Sequence, residues 1–407
     1  MVKYCFVGLD IGRYENCAFV LDNNREKMKE FEFLQTHVGY EQLISFLHSL
    51  EKQGFTPIVG AEGHCGNMAP LDEYLLKEGI IFKPLHPTAV NRHKDVLGQQ
   101  QKTDSYDAYA IADLLFFQHE TTESMTKQEE VSELKSLSRA YKNLTKAKTR
   151  FSNQLQQELM SYFPELLNEK IFSTITCKTA LHLLKEYPTP KELLSLSVEE
   201  LTSFLEYHSK GHLGEATARE IINRASSINR TPSYIASKAL IVKTLAKQIL
   251  SIDENLKQIK QQIDKISKRS LTLQRIESID GAGSILAARL IGEVISFERF
   301  STEPKLAMFL GLAPISDDSG KRKGRHKTTH RVNKIAKDAI MQIAECNRRV
   351  CPKSKAYYQK KRAEGKSHWQ AIKCLARQLV RALWAMFRDN TFYGQPSTCN
   401  TYQGGDN

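Results

Sequence analysis

The order of hydrophobic periods in the first third of the chain limits its fold more than any other feature. "YCFVGLDIG", "CAFVLDN" and "MKEFEFLQT" are short runs of β-branched and aromatic residues between polar turns, and they read as three consecutive strands. "GYEQLISFLHSLEKQ" then changes to helical spacing and stops at Gly54. "TPIVGAEG" is a buried strand, "APLDEYLLKEG" a helix closed by Gly79, "IIFKPLHP" another strand, and "KTDSYDAYAIADLLFF" a closing helix. An α/β domain is therefore expected over residues 1–120.

Beyond it the pattern becomes helical. Over residues 127–165, Leu134, Leu137, Tyr141, Leu144, Phe151 and Leu155 recur mostly at three- and four-residue steps. Leu245, Ile249, Ile252, Leu256, Ile259, Ile263 and Ile266 alternate four-three without a break, a coiled-coil seam. That seam suits a helical hairpin within one chain as well as a dimer contact. Between the two segments lies a helical insert, in which Ser197 and Glu200 fit a capping box. The expected organisation is an α/β domain at 1–120, a helical, coiled-coil linker and insert at 121–269, a mostly helical domain at 270–390, and a disordered tail at 391–407.

Charge divides the chain unevenly. From Lys321 to Arg388 there are 20 Lys and Arg against three acids, a balance of +17 in a chain whose net charge is +12, so the remainder sums to about −5. A solvated face mixes both signs, and a block this one-sided points to a polyanion, nucleic acid first. No apolar run approaches a membrane span, and the short N-terminal apolar stretch carries Asp10, which suits a strand and not a signal peptide. Eight scattered cysteines form no Cys-x-x-Cys pair, which suits reduced thiols and a cytoplasmic protein.

Three strands followed by helix, strand, helix, strand, helix is the order of the ribonuclease H-like fold. In such a sheet the first strand and its neighbour end close together, and the last helix packs across that edge. Asp10 ends the first strand and Glu62 ends "PIVGAE", while Asp104 and Asp107 stand three apart on the closing helix. The four carboxylates are placed to converge. Hard oxygen ligands suit magnesium, with manganese as the alternative, and two such ions can clamp the oxygens of a phosphoryl transfer. A rival reading exists, because "VGLDIGRYENCAFVLD" also looks like the first phosphate loop of actin-like sugar kinases. The further Gly-rich loops of that fold are missing downstream, and ATP binding is not expected. In the helical C-terminal domain, "LQRIESIDGAGSILAARLIGEV" is helix, Gly-x-Gly turn, helix. Gly281 and Gly283 could aim backbone N–H groups at a phosphate, or simply make a tight turn.

Asp10, Glu62 and the "KTDSYDA" pair resemble the DEDD motif of a family of bacterial insertion-sequence transposases, shared with Piv-type DNA invertases, whose domain is similar to the Holliday-junction resolvase RuvC. "SIDGAGSILAARLIGEV", "FSTEPKLAMFLGLAPISDDSG" and the basic run after it resemble that family's C-terminal transposase domain. The resemblance covers roughly residues 4–115 and 270–350; the insert around 166–237 and the extended basic C-terminus depart from it. It implies a serine nucleophile that falls on Ser319, with Ser316 as competitor. Lys321, Arg322, Lys323, Arg325 and Lys327 stand beside it to hold phosphates. It further implies a magnesium-dependent DEDD site, covalent phosphoserine chemistry on DNA, assembly as dimers or tetramers, a guide RNA from the element's own end, and association with the bacterial nucleoid. The alternatives are a metal-only junction resolvase, in which water attacks, and a non-catalytic nucleic-acid-binding protein.

Overall fold

The computed structural model describes residues 3–62, 68–98, 103–120, 129–167, 171–228, 232–313, 315–316, 326–327 and 332–394. The chain divides into two compact units, Met1–Gln128 and Glu129–Asn407. In the first, β1 (Lys3–Ile11) is buried without interruption from Cys5 to Leu9, as a central strand covered on both faces must be. β2 (Glu15–Leu21) and β3 (Lys27–Leu34) continue as an antiparallel meander. α1 (His37–Lys52) then leads to β4 (Phe55–Glu62), parallel to β1, and α2 (Ala69–Lys77) to β5 (Ile81–Leu85), parallel to β4. α3 (Pro87–Leu97) and α4 (Asp104–Gln118) complete the unit. The sheet order β3-β2-β1-β4-β5 is the ribonuclease H-like arrangement expected from the order of periods.

The period of two along β1 separates two cores. Cys5, Val7 and Leu9 pack with Leu43, Leu47, Leu71 and Leu75 of α1 and α2. Phe6 packs with Ile58 and with Ala108, Ile111 and Leu115 of α4. On this second face Gly8 and Gly60 stand opposite each other in register. A Cβ at Gly8 would run into the carbonyl oxygen of Ala108 and the amide nitrogen of Ala112, and one at Gly60 would lie 3.0 Å from a methyl of Leu115. The paired glycines form the bed on which α4 lies. α3 was not expected from its sequence, because only Val90 of its eleven residues is buried. Its boundaries were nevertheless marked, by Pro87 at the first helical turn and by Gly98 in the left-handed conformation just after it.

The second unit is almost wholly helical among its described residues. α5 (Glu129–Met160) is followed by a 3₁₀ turn at Pro164–Leu167 and by α6 (Lys178–Glu186), α7 (Pro190–Leu194), α8 (Val198–Ser209) and α9 (Glu215–Ser226). The box at Ser197 and Glu200 is present at the start of α8, and Thr189 and Glu192 make a second one at α7. α10 (Ile235–Arg269) returns antiparallel along α5: Lys238 pairs with Glu158 at 2.6 Å and Lys148 with Asp253 at 2.5 Å, while Gln262 bonds Glu133. The two ends of the seam are therefore packed within the chain, while Leu256 and Ile259 at its middle are half-buried. The seam changes partners along its length. Leu245 and Ile249 belong to the core of the insert, whereas Ile263 and Ile266 belong to that of the C-terminal helices.

α11 (Leu271–Glu277), α12 (Ser284–Val294), α13 (Glu303–Phe309), the short strands β6 (Ile315–Ser316) and β7 (His326–Lys327), α14 (Lys334–Val350), α15 (Pro352–Ala363) and α16 (His368–Arg388) follow. The two short strands were not anticipated. Of the expected tail, the backbone N–H of Tyr393 donates to Ser278 at 2.9 Å, and residues 395–407 lie outside the described residues. No helix among the described residues is long and apolar enough to cross a membrane.

The glycine bed can be tested directly. Gly8→Ala is expected to lower the stability of the N-terminal unit by about 1–3 kcal/mol through overpacking, measured by urea or thermal unfolding. An unchanged midpoint would show that α4 does not rest on β1 as described.

Candidate nucleic-acid processing site

Asp10 continues the β1 face that carries Phe6 and Gly8, and Glu62 continues the β4 face that carries Ile58 and Gly60. Both therefore leave the sheet on the side covered by α4. α4 begins where Thr103 caps it, its side chain accepting from the Tyr106 N–H at 3.2 Å. That cap sets Asp104 and Asp107 in the first turn, where the helix end favours negative charge. The expected group is thus assembled on one side of the sheet, from β1, β4 and α4.

The field within the group is strong enough to move a carboxyl. Burial first, then the charges of Asp107 and Asp104, push Asp10 up to about 6; Lys94 pulls it down and Glu62 adds a smaller push. Lys94 was missed in the sequence. Its ammonium sits 2.8 Å from Asp107, and the adjacent His93 lies 2.7 Å from Asp113, which is buried on α4 and also paired with Arg25. These neighbouring contacts clamp α3 against α4 beside the acids. Among the described residues no three His, Cys, Asp or Glu side chains are already gathered as ligands. The donor set nevertheless suits a hard divalent cation, because all four groups are carboxylates and their mutual repulsion is what such an ion relieves.

In the second unit, the segment carrying the candidate serine is pinned at both ends. Ser316 in β6 pairs with His326 in β7, and Ile315 pairs with Lys327. Ser319, Lys321, Arg322, Lys323 and Arg325 lie outside the described residues, in the sequence joining these strands. Before β6, Gly311 takes a positive φ of 65°, and a Cβ there would lie 2.9 Å from Val332. After β7, the Asn333 N–H donates to the Phe309 carbonyl at 3.2 Å, and the Asn333 side chain accepts from the N–H groups of Ile335 and Ala336 as cap of α14. The same side chain donates to Glu293 at 2.8 Å, which also accepts two bonds from Arg139 of α5. Burial would raise the Glu293 carboxyl, but these donors override it and hold the group below the usual carboxylate range. This network was not anticipated, since nothing local in the sequence links positions 139, 293 and 333.

The Gly-x-Gly turn has two different glycines. Gly281 has φ +85°, and a Cβ there would lie 2.8 Å from the Cys346 carbonyl carbon of α14. Asn347 is buried against the same turn and donates to the Asp280 carbonyl at 2.9 Å. Gly281 is thus needed for close approach. Gly283, the N-cap of α12, has φ −75° and no neighbour within 4 Å of a Cβ.

A ribonuclease H-like sheet bearing Asp, Glu, Asp and Asp in this order on β1, β4 and α4 defines a DEDD-type DNA-processing enzyme. Residues 7–164 match a transposase model of the DEDD type, and residues 273–359 match the transposase IS116/IS110/IS902 family; together these matches take in more than half of the chain. The chain belongs to this transposase family. It is similar to the insertion element IS116 protein of Streptomyces clavuligerus, 27% identical over 95% of this chain and 96% of the relative. It is also similar to the insertion element IS900 protein of Mycobacterium paratuberculosis, 25% identical over 98% of this chain and 99% of the relative. The structure of T. thermophilus RuvC in complex with a Holliday junction substrate matches 31% of this chain and 100% of its own, with 12% identity and a TM-score of 0.24. The ribonuclease H-like assignment rests on the strand order.

The two glycines should separate on mutation. Gly281→Ala is expected to cost about 1–3 kcal/mol by overpacking at a left-handed position. Gly283→Ala should melt close to wild type. Weakened DNA binding by Gly283→Ala would then report a phosphate contact, and unchanged binding would remove Gly283 from the interface.

Proposed function

We propose that this transposase cleaves and rejoins DNA through a covalent phosphoserine at Ser319, with a divalent cation held by Asp10, Glu62, Asp104 and Asp107. The placement of Asp10, Glu62, Asp104 and Asp107 on β1, β4 and α4 at one side of the sheet is the observation that supports the cation site. When bound, magnesium or manganese would stabilise negative charge on the oxygens of the phosphate under attack.

The work of the protein's own residues follows from their chemistry. The Ser319 oxygen forms a bond to phosphorus as the bond from phosphorus to a deoxyribose oxygen breaks. The proton lost by the Ser319 hydroxyl is balanced by the one the leaving oxygen gains, and the phosphodiester energy is kept in the phosphoserine for rejoining. Lys321, Arg322, Lys323, Arg325 and Lys327 bind the flanking phosphates. Gly283, beside Gly281, offers backbone N–H groups to a further phosphate. From the family resemblance we extend the reading to dimers and tetramers on DNA, in which the carboxylates of one subunit serve the serine segment of another. A structured RNA from the element guides target choice, and the protein works at the bacterial nucleoid.

Trapping on nicked suicide substrates tests the chemistry. Wild type should yield DNA that migrates with protein after denaturation. Ser319→Ala should lose that species completely while binding DNA normally, and Ser316→Ala should retain it. Cleavage by wild type without any adduct would make water the nucleophile and return the enzyme to the metal-only alternative.

A further inference from the structure

The α15–α16 hairpin carries rings and cations for which neither the carboxylates nor the serine segment has a use. From Arg348 to Gln370 there are eight Lys and Arg against one acid, Glu364. α15 buries a single residue, Ser354, and Lys353, Lys355, Lys360 and Arg362 are exposed. One of the chain's two tryptophans opens this surface to solvent: Trp369, in the first turn of α16, is 63% exposed. The other, Trp384, is half-buried and donates its Nε1–H to the Phe300 carbonyl at 3.0 Å.

Trp369 is exposed but not loose. Its ring lies 4.8 Å from that of His368, and His368 lies 5.7 Å from the ring of Tyr358 on α15. The Tyr358 hydroxyl and His368 Nδ1 are hydrogen-bonded at 2.8 Å, which holds the two helices together at this corner. The Ser367–Gln370 capping box fixes the turn that carries the indole. Arg348 stacks over Tyr358 at 4.8 Å and is gripped by Glu345 through two bonds of 3.0 and 2.6 Å. Glu345 holds Arg349 as well, at 3.0 and 2.9 Å. Lys355 and Arg362 stand one turn before and one turn after Tyr358 on the same helix face. The result is a short ladder of rings, open at the indole end and flanked by cations, of which Arg348 and Arg349 are held by Glu345.

We propose that Trp369, supported by His368 and Tyr358, is a stacking platform for an unpaired base of a DNA strand, with Arg348, Arg349, Lys355 and Arg362 taking the adjoining phosphates. The occupant follows from chemistry. The residues next to Trp369 in sequence, Lys366, Ser367, His368 and Gln370, are polar or cationic, which suits a charged partner. Duplex DNA keeps its bases stacked on each other and would leave the indole unused. An unpaired strand presents ring faces and phosphates at once, the combination that aromatic and cationic grooves recognise. This rests on the DNA transposase activity of the family, since a cut strand must leave its old partner, with its bases unpaired, before it is joined to a new one.

The chain's two tryptophans make the test direct. In full-length Trp384→Phe, Trp369 is the only indole, and a single-stranded oligodeoxynucleotide should quench its emission while the same sequence as duplex should not. In the otherwise wild-type chain, Trp369→Ala should lose about tenfold in single-strand affinity, measured by anisotropy, with duplex affinity held within about twofold. Trp369→Phe, which keeps a ring, should recover most of the loss. Emission unchanged under saturating single strand, equal losses for single strand and duplex, or quenching by RNA alone would each overturn the proposal. Adduct formation reports on Ser319 and not on Trp369, so failure of the platform and failure of the phosphoserine reading are distinguished.

Discussion

Two glycines facing each other across a pair of parallel strands govern the rest of the first unit. Gly8 and Gly60 present bare backbone to α4, and α4 lies close enough that side chains at those positions would strike its own backbone or Leu115. Two residues further on, by the period of the pleat, Asp10 and Glu62 leave the same face. The helix that rests on the glycines carries Asp104 and Asp107 in its first turn. A helix held farther from the sheet by side chains would uncover Asp10, whose burial is the main cause of its raised pKa, and would weaken the carboxylate charges that add to it. Packing of backbone on backbone thereby becomes electrostatics.

The second unit depends on a different constraint, the antiparallel pairing of α5 and α10. These two long helices belong to both the core of the insert and that of the C-terminal helices, so neither core is independent of them. Arg139 extends that dependence to the serine segment, because its bonds to Glu293 fix the acceptor on which Asn333 is anchored. The feet of the β6–β7 pair are therefore tied to the longest elements of the unit. Gly292 on α12 shows how tight this packing is: a Cβ there would lie 2.7 Å from the backbone of Lys135 on α5.

Much of this was legible in the residues. The strand and helix order of the first unit follows from its periods, and the four carboxylates were placed on the elements that carry them. Even the glycine bed left a trace, since "VGLD" at 7–10 and "VGAE" at 59–62 repeat one pattern of apolar residue, glycine, apolar residue and acid. α3 was lost because its eleven residues are mostly polar and only one of them is buried, and Lys94 was lost with it. The seam on α10 announced a helical partner but could not say which chain supplies it; Lys148 with Asp253 and Lys238 with Glu158 place α5 of the same chain alongside it. Gly281 and Gly283 look alike in sequence, and only the position of α14 tells them apart. Ser319 came from family resemblance, because a serine in a polar turn has no physical signature of its own.

The central claim is that packing of α4 on the glycine bed gathers four carboxylates into one site for a divalent cation. Calorimetric titration of manganese into the purified chain, beside Asp10→Asn and Asp104→Asn, tests it most directly and needs no DNA. Wild type should bind the ion, and each variant should lose that binding while unfolding at or above the wild-type midpoint, since relieving crowded negative charge does not harm the fold. Binding of equal strength in the variants, or none in wild type, would contradict the account.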